Sequence, residues 1–144
     1  MNRFYVKIFF VIILLSGFSQ IAASQCTGFA RNIARPMLEP FRHDGNFNAT
    51  YIEEGERAEL YKTFFRGEEY RLVVTAVEAL PDIRVRVFDE NQHLLFDNAN
   101  HEYTKVWDFV AETTSNIMVQ VIVHDLEEES VKGGCLAILF GVKD

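Results

Sequence analysis

Two cysteines, three prolines and one tryptophan are all that this 144-residue chain contains of those types, and several kinds of site are missing with them. Neither Cys26 nor Cys135 has a second cysteine or a histidine at ligand spacing, which argues against a zinc site or a redox Cys-x-x-Cys pair. A Gly-rich phosphate loop and the Gly-x-Ser-x-Gly turn of a serine hydrolase are also absent. Positive charge is scarce: 14 Lys and Arg stand against 21 Asp and Glu, a net charge of −7. Such a chain is repelled by phosphate backbones and anionic lipid surfaces, so nucleic-acid partners are not expected. Low-complexity stretches and internal repeats are lacking, which leaves one ordinary globular unit as the expectation.

The long apolar run of a membrane span is missing too. Residues 8–18 are apolar, with Arg3 and Lys7 before them, and this stretch is too short to cross a bilayer comfortably. Its charge and length fit the n-region and h-region of a secretory signal peptide, and Ala22 and Ser24 place small residues before a cut between Ser24 and Gln25. The expected organisation is a signal peptide over residues 1–24 and a single β-sandwich domain over 25–144. Export then implies a periplasmic or secreted protein with no membrane insertion after cleavage.

In an oxidising compartment the two cysteines are expected to pair, and a Cys26–Cys135 disulfide would pin the N-terminal segment to the last apolar stretch. Residues 26–47 carry Pro36 and Pro40, mixed charge and weak periodicity, so a short helical turn near residues 27–33 followed by irregular chain is expected.

From Arg57 onward, runs rich in Val, Ile, Phe and Tyr alternate with polar turns, the pattern of consecutive strands. Tyr70, Leu72, Val74 and Ala76 share one face; Ile83, Val85 and Val87 share the inner face of the next strand, leaving Arg84, Arg86 and Phe88 outward. Asp89 to Gln92 reads as a hairpin turn, and Ile117, Val119, Val121 and Val123 point inward at period two. Residues 136–142 are apolar on both faces, as befits a central strand or one lying under the N-terminal segment. About seven short strands and almost no helix predict an all-β, antiparallel sandwich of the jelly-roll or immunoglobulin-like type.

His43, His93, His101 with Glu102, and His124 with Asp125 are the groups with general-base or metal-ligand character, but their spacings match no ligand motif. No catalytic residue and no metal ligand is assigned. Oxygen-rich turns at Asp89-Glu90-Asn91, Asp97-Asn98 with Asn100, and Asp125 with Glu127, Glu128 and Glu129 offer calcium as an alternative, although none has the Asp-x-Asp-x-Asp-Gly order. No other cofactor is expected. Trp107, with Tyr51, Tyr61 and Tyr103, is a candidate for stacking on a sugar or peptide, although its alternation with Phe109 is more often the pattern of a core residue.

The segments Gly55-Glu56-Arg57, Glu69-Tyr70-Arg71-Leu72, Leu95-Phe96-Asp97-Asn98, Trp107-Asp108-Phe109 and Gly134-Cys135 resemble those of small uncharacterised exported proteins of Bacteroidota-type bacteria. More distantly, the chain resembles the pre-peptidase C-terminal domain, a β-sandwich attached to secreted peptidases. That resemblance implies a non-catalytic accessory or substrate-binding role. The reading is a non-enzymatic binding or structural module for an envelope or extracellular protein or glycan, with Arg84, Arg86, Phe88, Tyr103 and Trp107 as candidate binding residues. The alternatives are a calcium-dependent adhesion or glycan-binding module, and a small metal-dependent hydrolase using His101, Glu102, His124 and Asp125.

Overall fold

The computed structural model describes residues 21–127 and 131–144. The expected apolar signal run and most of the acidic loop at 127–130 lie outside the described residues. Among the described residues, the first elements are helix α1 (Ile21–Phe29), a π turn (Ala30–Ala34) and a 3-10 turn (Arg35–Leu38). Nine strands follow among the described residues: β1 (Arg42–His43), β2 (Asn48–Glu53), β3 (Arg57–Phe64), β4 (Glu69–Ala76), β5 (Ile83–Phe88), β6 (Leu94–Asp97), β7 (Val106–Val110), β8 (Ser115–Val123) and β9 (Gly133–Val142).

The strands form two antiparallel sheets. The first has the order β1-β9-β4-β7, with β2 also paired to β9; the second has the order β3-β8-β5-β6. The all-β sandwich expected from the alternation is therefore the architecture observed, and its buried residues are the ones the period-two pattern marks. Tyr70, Leu72 and Val74 of β4 and Leu136, Ile138 and Phe140 of β9 meet Ile83, Val85, Val87, Ile117, Val119, Val121 and Val123 from the second sheet. At one end of this core the Phe64 ring lies 4.6 Å from Tyr70, 5.1 Å from Phe109 and 5.5 Å from Phe140, all edge-on, the arrangement that aromatic quadrupoles favour.

The N-terminal segment departs from the expected irregular chain. Its helical part runs on to Leu38, because Ala30, Ala34 and Leu38 recur every four residues and place one small-residue stripe against Val73, Ala137 and Leu139. Pro36 falls at the start of the 3-10 turn, where its missing N–H is tolerated. This layer covers the outer face of the first sheet, which explains why β9 is apolar on both sides. The Cys26–Cys135 disulfide is present, with Cα atoms 5.1 Å apart, and ties α1 to β9. Arg71 of β4 holds the layer from beneath: its guanidinium donates to the Glu39 carbonyl at 2.6 Å, to both Asp108 oxygens, and lies over the Phe41 ring.

Two strands escaped the sequence reading. β1 has two residues, and β2 alternates weakly because only Ile52 among its side chains is fully buried. Both are edge strands paired along β9, so their existence depends on a partner far away in the chain.

Candidate functional site

The outer face of the second sheet carries no covering layer among the described residues. Strand register fixes what stands on it. Tyr61, Met118 and Phe88 are aligned across β3, β8 and β5, and Leu94 of β6 extends the row. The next row is Glu59, Gln120, Arg86 and Asp97; the one beyond is Arg57, Ile122 and Arg84. Alternation sets this arrangement, since Val85, Val87, Val119, Val121 and Val123, with Ala58 and Leu60, point into the core from between these residues. Tyr61 and Leu94 are 61% and 51% exposed, so the first row presents apolar surface to solvent.

The polar row is internally bonded. Arg86 donates to Gln120 at 3.0 Å, and Gln120 donates to Glu59 at 2.9 Å. The Arg86 guanidinium also sits 5.6 Å from the Phe88 ring, and its Nε is buried without a hydrogen-bond partner. Arg84 makes a two-pronged contact with Asp97, at 3.2 and 2.6 Å. Arg84's hydrogen bond is the main reason that the Asp97 carboxyl is held below the usual carboxylate range, and the Ala99 N–H adds to it against the opposing effect of burial. The same pairing raises Arg84.

Arg84, Arg86 and Phe88 thus share one surface. Tyr103 stands near it, in the turn after β6, close enough to Arg84 to interact electrostatically and 6.5 Å from the His124 ring. Trp107 does not join them. It lies on β7 of the other sheet, inward, stacked between Phe96 at 4.6 Å and Phe109 at 4.3 Å. Together with Leu95, Val110 and Ile117 it lines an open groove of about 370 Å³ at the side of the sandwich. Met118 was not singled out from the sequence; only cross-strand register places it between Tyr61 and Phe88.

The groups considered for metal or hydrolytic chemistry form no metal-holding cluster: among the described residues, no three of His, Cys, Asp and Glu are gathered to hold an ion. His101 lies flat on Phe96, and His93 is tied to Asp89. Two of the oxygen-rich turns, at Asp89 and at Asp97-Asn98, are occupied by their own chain. Asp89 accepts the N–H groups of Asn91 and His93, which lowers its pKa, His93 foremost. Asp97 and Asn98 are buried rather than solvated. Among the described residues, no helix is long and apolar enough to cross a membrane.

No protein-family model matches the chain, and no curated protein matches it in sequence; the resemblance to Bacteroidota exported proteins and to pre-peptidase domains thus gains no support. Similarity is found among solved structures. The periplasmic PliG of Aeromonas hydrophila, an inhibitor of g-type lysozyme, aligns with a TM-score of 0.53 at 7% identity, covering 73% of this chain and 90% of that one. Salmonella Typhimurium PliG aligns with a TM-score of 0.45 at 8% identity, covering 68% of this chain and 90% of its own. At such identity the likeness is one of fold: the chain is built as a two-sheet sandwich similar to that of the Aeromonas inhibitor.

Proposed function

We propose that the protein is an exported, non-catalytic module that binds a protein partner through the outer face of its second sheet. The observation that carries this reading is the asymmetry of the sandwich. One outer face is covered by the chain's own helical layer and locked by a disulfide, while the other exposes the Tyr61, Met118, Phe88 and Leu94 row beside Arg86 and Arg84. Aromatic rings, Met and Arg are the residue types enriched in protein interfaces, and they dominate interface energetics. The Aeromonas neighbour has a protein as its ligand, which supports a protein partner in kind.

The test is a crosslinking pull-down from the native cell envelope with the protein as bait, against a Tyr61→Ala/Phe88→Ala variant with unchanged circular dichroism and melting temperature. Each side chain is on the surface, so the fold should persist. A partner recovered by the wild type and lost at least tenfold by the variant is the expected outcome. Undiminished recovery would move the interface elsewhere, and purified g-type lysozyme is the first defined protein to titrate.

A further inference from the structure

The N-terminal layer carries a second feature, independent of the sheet face. Arg31, Arg35 and Arg42 all line one cleft of about 410 Å³, with His43 and Glu39, over apolar Leu38 and Phe41. Three of the 14 basic residues of a chain with net charge −7 therefore meet around a single depression. Arg31 and Arg35 stand four residues apart on the π and 3-10 turns and are exposed.

These arginines are incompletely matched. Arg42 pairs with Asp144 at 2.8 Å, an exposed contact, worth little in water. Arg31 rests on the Phe47 ring at 5.3 Å, and neither Arg31 nor Arg35 makes an ion pair among the described residues. Glu39, and Asp144 through its pair with Arg42, bring two negative charges against three positive ones. His43 is a wall rather than a ligand, since its Nε2 contacts the Asn46 carbonyl at 3.1 Å and its ring packs on Phe47. The scaffold beneath is fixed by the Cys26–Cys135 bridge and by Arg71 under Phe41.

A guanidinium presents a planar fork of N–H donors that fits the oxygens of an oxyanion, and several forks around one depression favour a dianion over a single carboxylate. We propose that this cleft binds a phosphate monoester group, carried either by a soluble small molecule or by a lipid headgroup.

The test uses the full chain and inorganic phosphate, titrated at constant ionic strength against sodium chloride, with binding followed by Arg Nε–Hε NMR shifts and by melting temperature. Saturable shifts at Arg31, Arg35 and Arg42 are expected, with affinity at least tenfold weaker in Arg31→Gln/Arg35→Gln. Arg66→Gln/Lys105→Gln, which removes equal charge elsewhere, should leave affinity within twofold. Sedimentation with phosphatidic acid vesicles, lost in the Arg31→Gln/Arg35→Gln variant, would identify the headgroup as source; phosphate binding without sedimentation would identify a soluble ligand. Absence of both, shifts at other arginines, or an equal response to chloride would overturn the proposal. The wild-type shift map stands whether or not the variants fold.

Discussion

Asn98 is one of the few polar side chains shut inside the sandwich, and each of its groups is used. Its Oδ1 accepts the Val85 N–H at 2.8 Å, and its Nδ2 donates to the carbonyls of Ile83 and Thr104 at 3.1 and 3.2 Å. Asn98→Ala leaves a buried donor and two buried carbonyls short of a partner, and should lower unfolding free energy by about 2 to 4 kcal/mol in urea titration. The neighbouring Asp97 gives a pH-dependent expectation. Since Arg84 holds its folded-state pKa below the unfolded one, its contribution is complete above an ordinary Asp pKa of about 3.9 and is lost as pH falls through the lowered folded value. The wild type should therefore lose more melting temperature than Asp97→Asn on acidification from pH about 5 to about 2. Equal losses would show that the Arg84 contact does not carry the acid sensitivity. The sequence marked Asp97 and Asn98 only as oxygen-rich turn residues, because a side chain's hydrogen-bond partners at positions 83 to 85 are not visible in local composition.

At the scale of elements, alternation did most of what it can do. It located β4, β5, β8 and β9 and assigned their faces, because strands buried on one side must repeat at two. It also found both faces of β9 apolar. What it could not provide was the identity of the second layer, since Ala30, Ala34 and Leu38 form a stripe too narrow and too small-sided to read as a helix beside Pro36. The small residues have a packing reason on the strand side as well. A Cβ added at Gly141 would lie 2.7 Å from Phe41 Cβ and 3.3 Å from Leu38 Cδ2. Gly141→Ala should consequently push the 3-10 turn away from β9 and destabilise by about 1 to 3 kcal/mol, the usual range for overpacking. Denaturation against the wild type would check it, and an unchanged midpoint would mean that the layer yields freely. Register likewise separates Trp107 from Arg84 and Arg86: spacing along one strand cannot reveal on which sheet that strand lies.

For the whole molecule, the deciding feature is that a sandwich has two outer faces and this chain spends its helical segment on one of them. The segment is held by three kinds of contact: the stripe on Val73, Ala137 and Leu139, the Arg71 hydrogen bonds to backbone carbonyls, and the disulfide. The disulfide closes a sequence separation of 109 residues, which in the chain-entropy model corresponds to about 4 to 5 kcal/mol. That is a large share of the roughly 5 to 15 kcal/mol by which a domain is stable. The β-sandwich itself does not pass through the bridge, because β9 stays paired with β4 over seven residue pairs and with β2 over six, one ladder on either side. Cys26→Ser/Cys135→Ser should therefore keep its β-sheet circular dichroism while melting well below the wild type. Loosening should start at the helical layer, where trypsin would cut after Arg31 before any site in the strands. Simultaneous cleavage throughout would mean instead that layer and sandwich unfold as one unit, and that the covered face is as integral to the core as the space between the sheets.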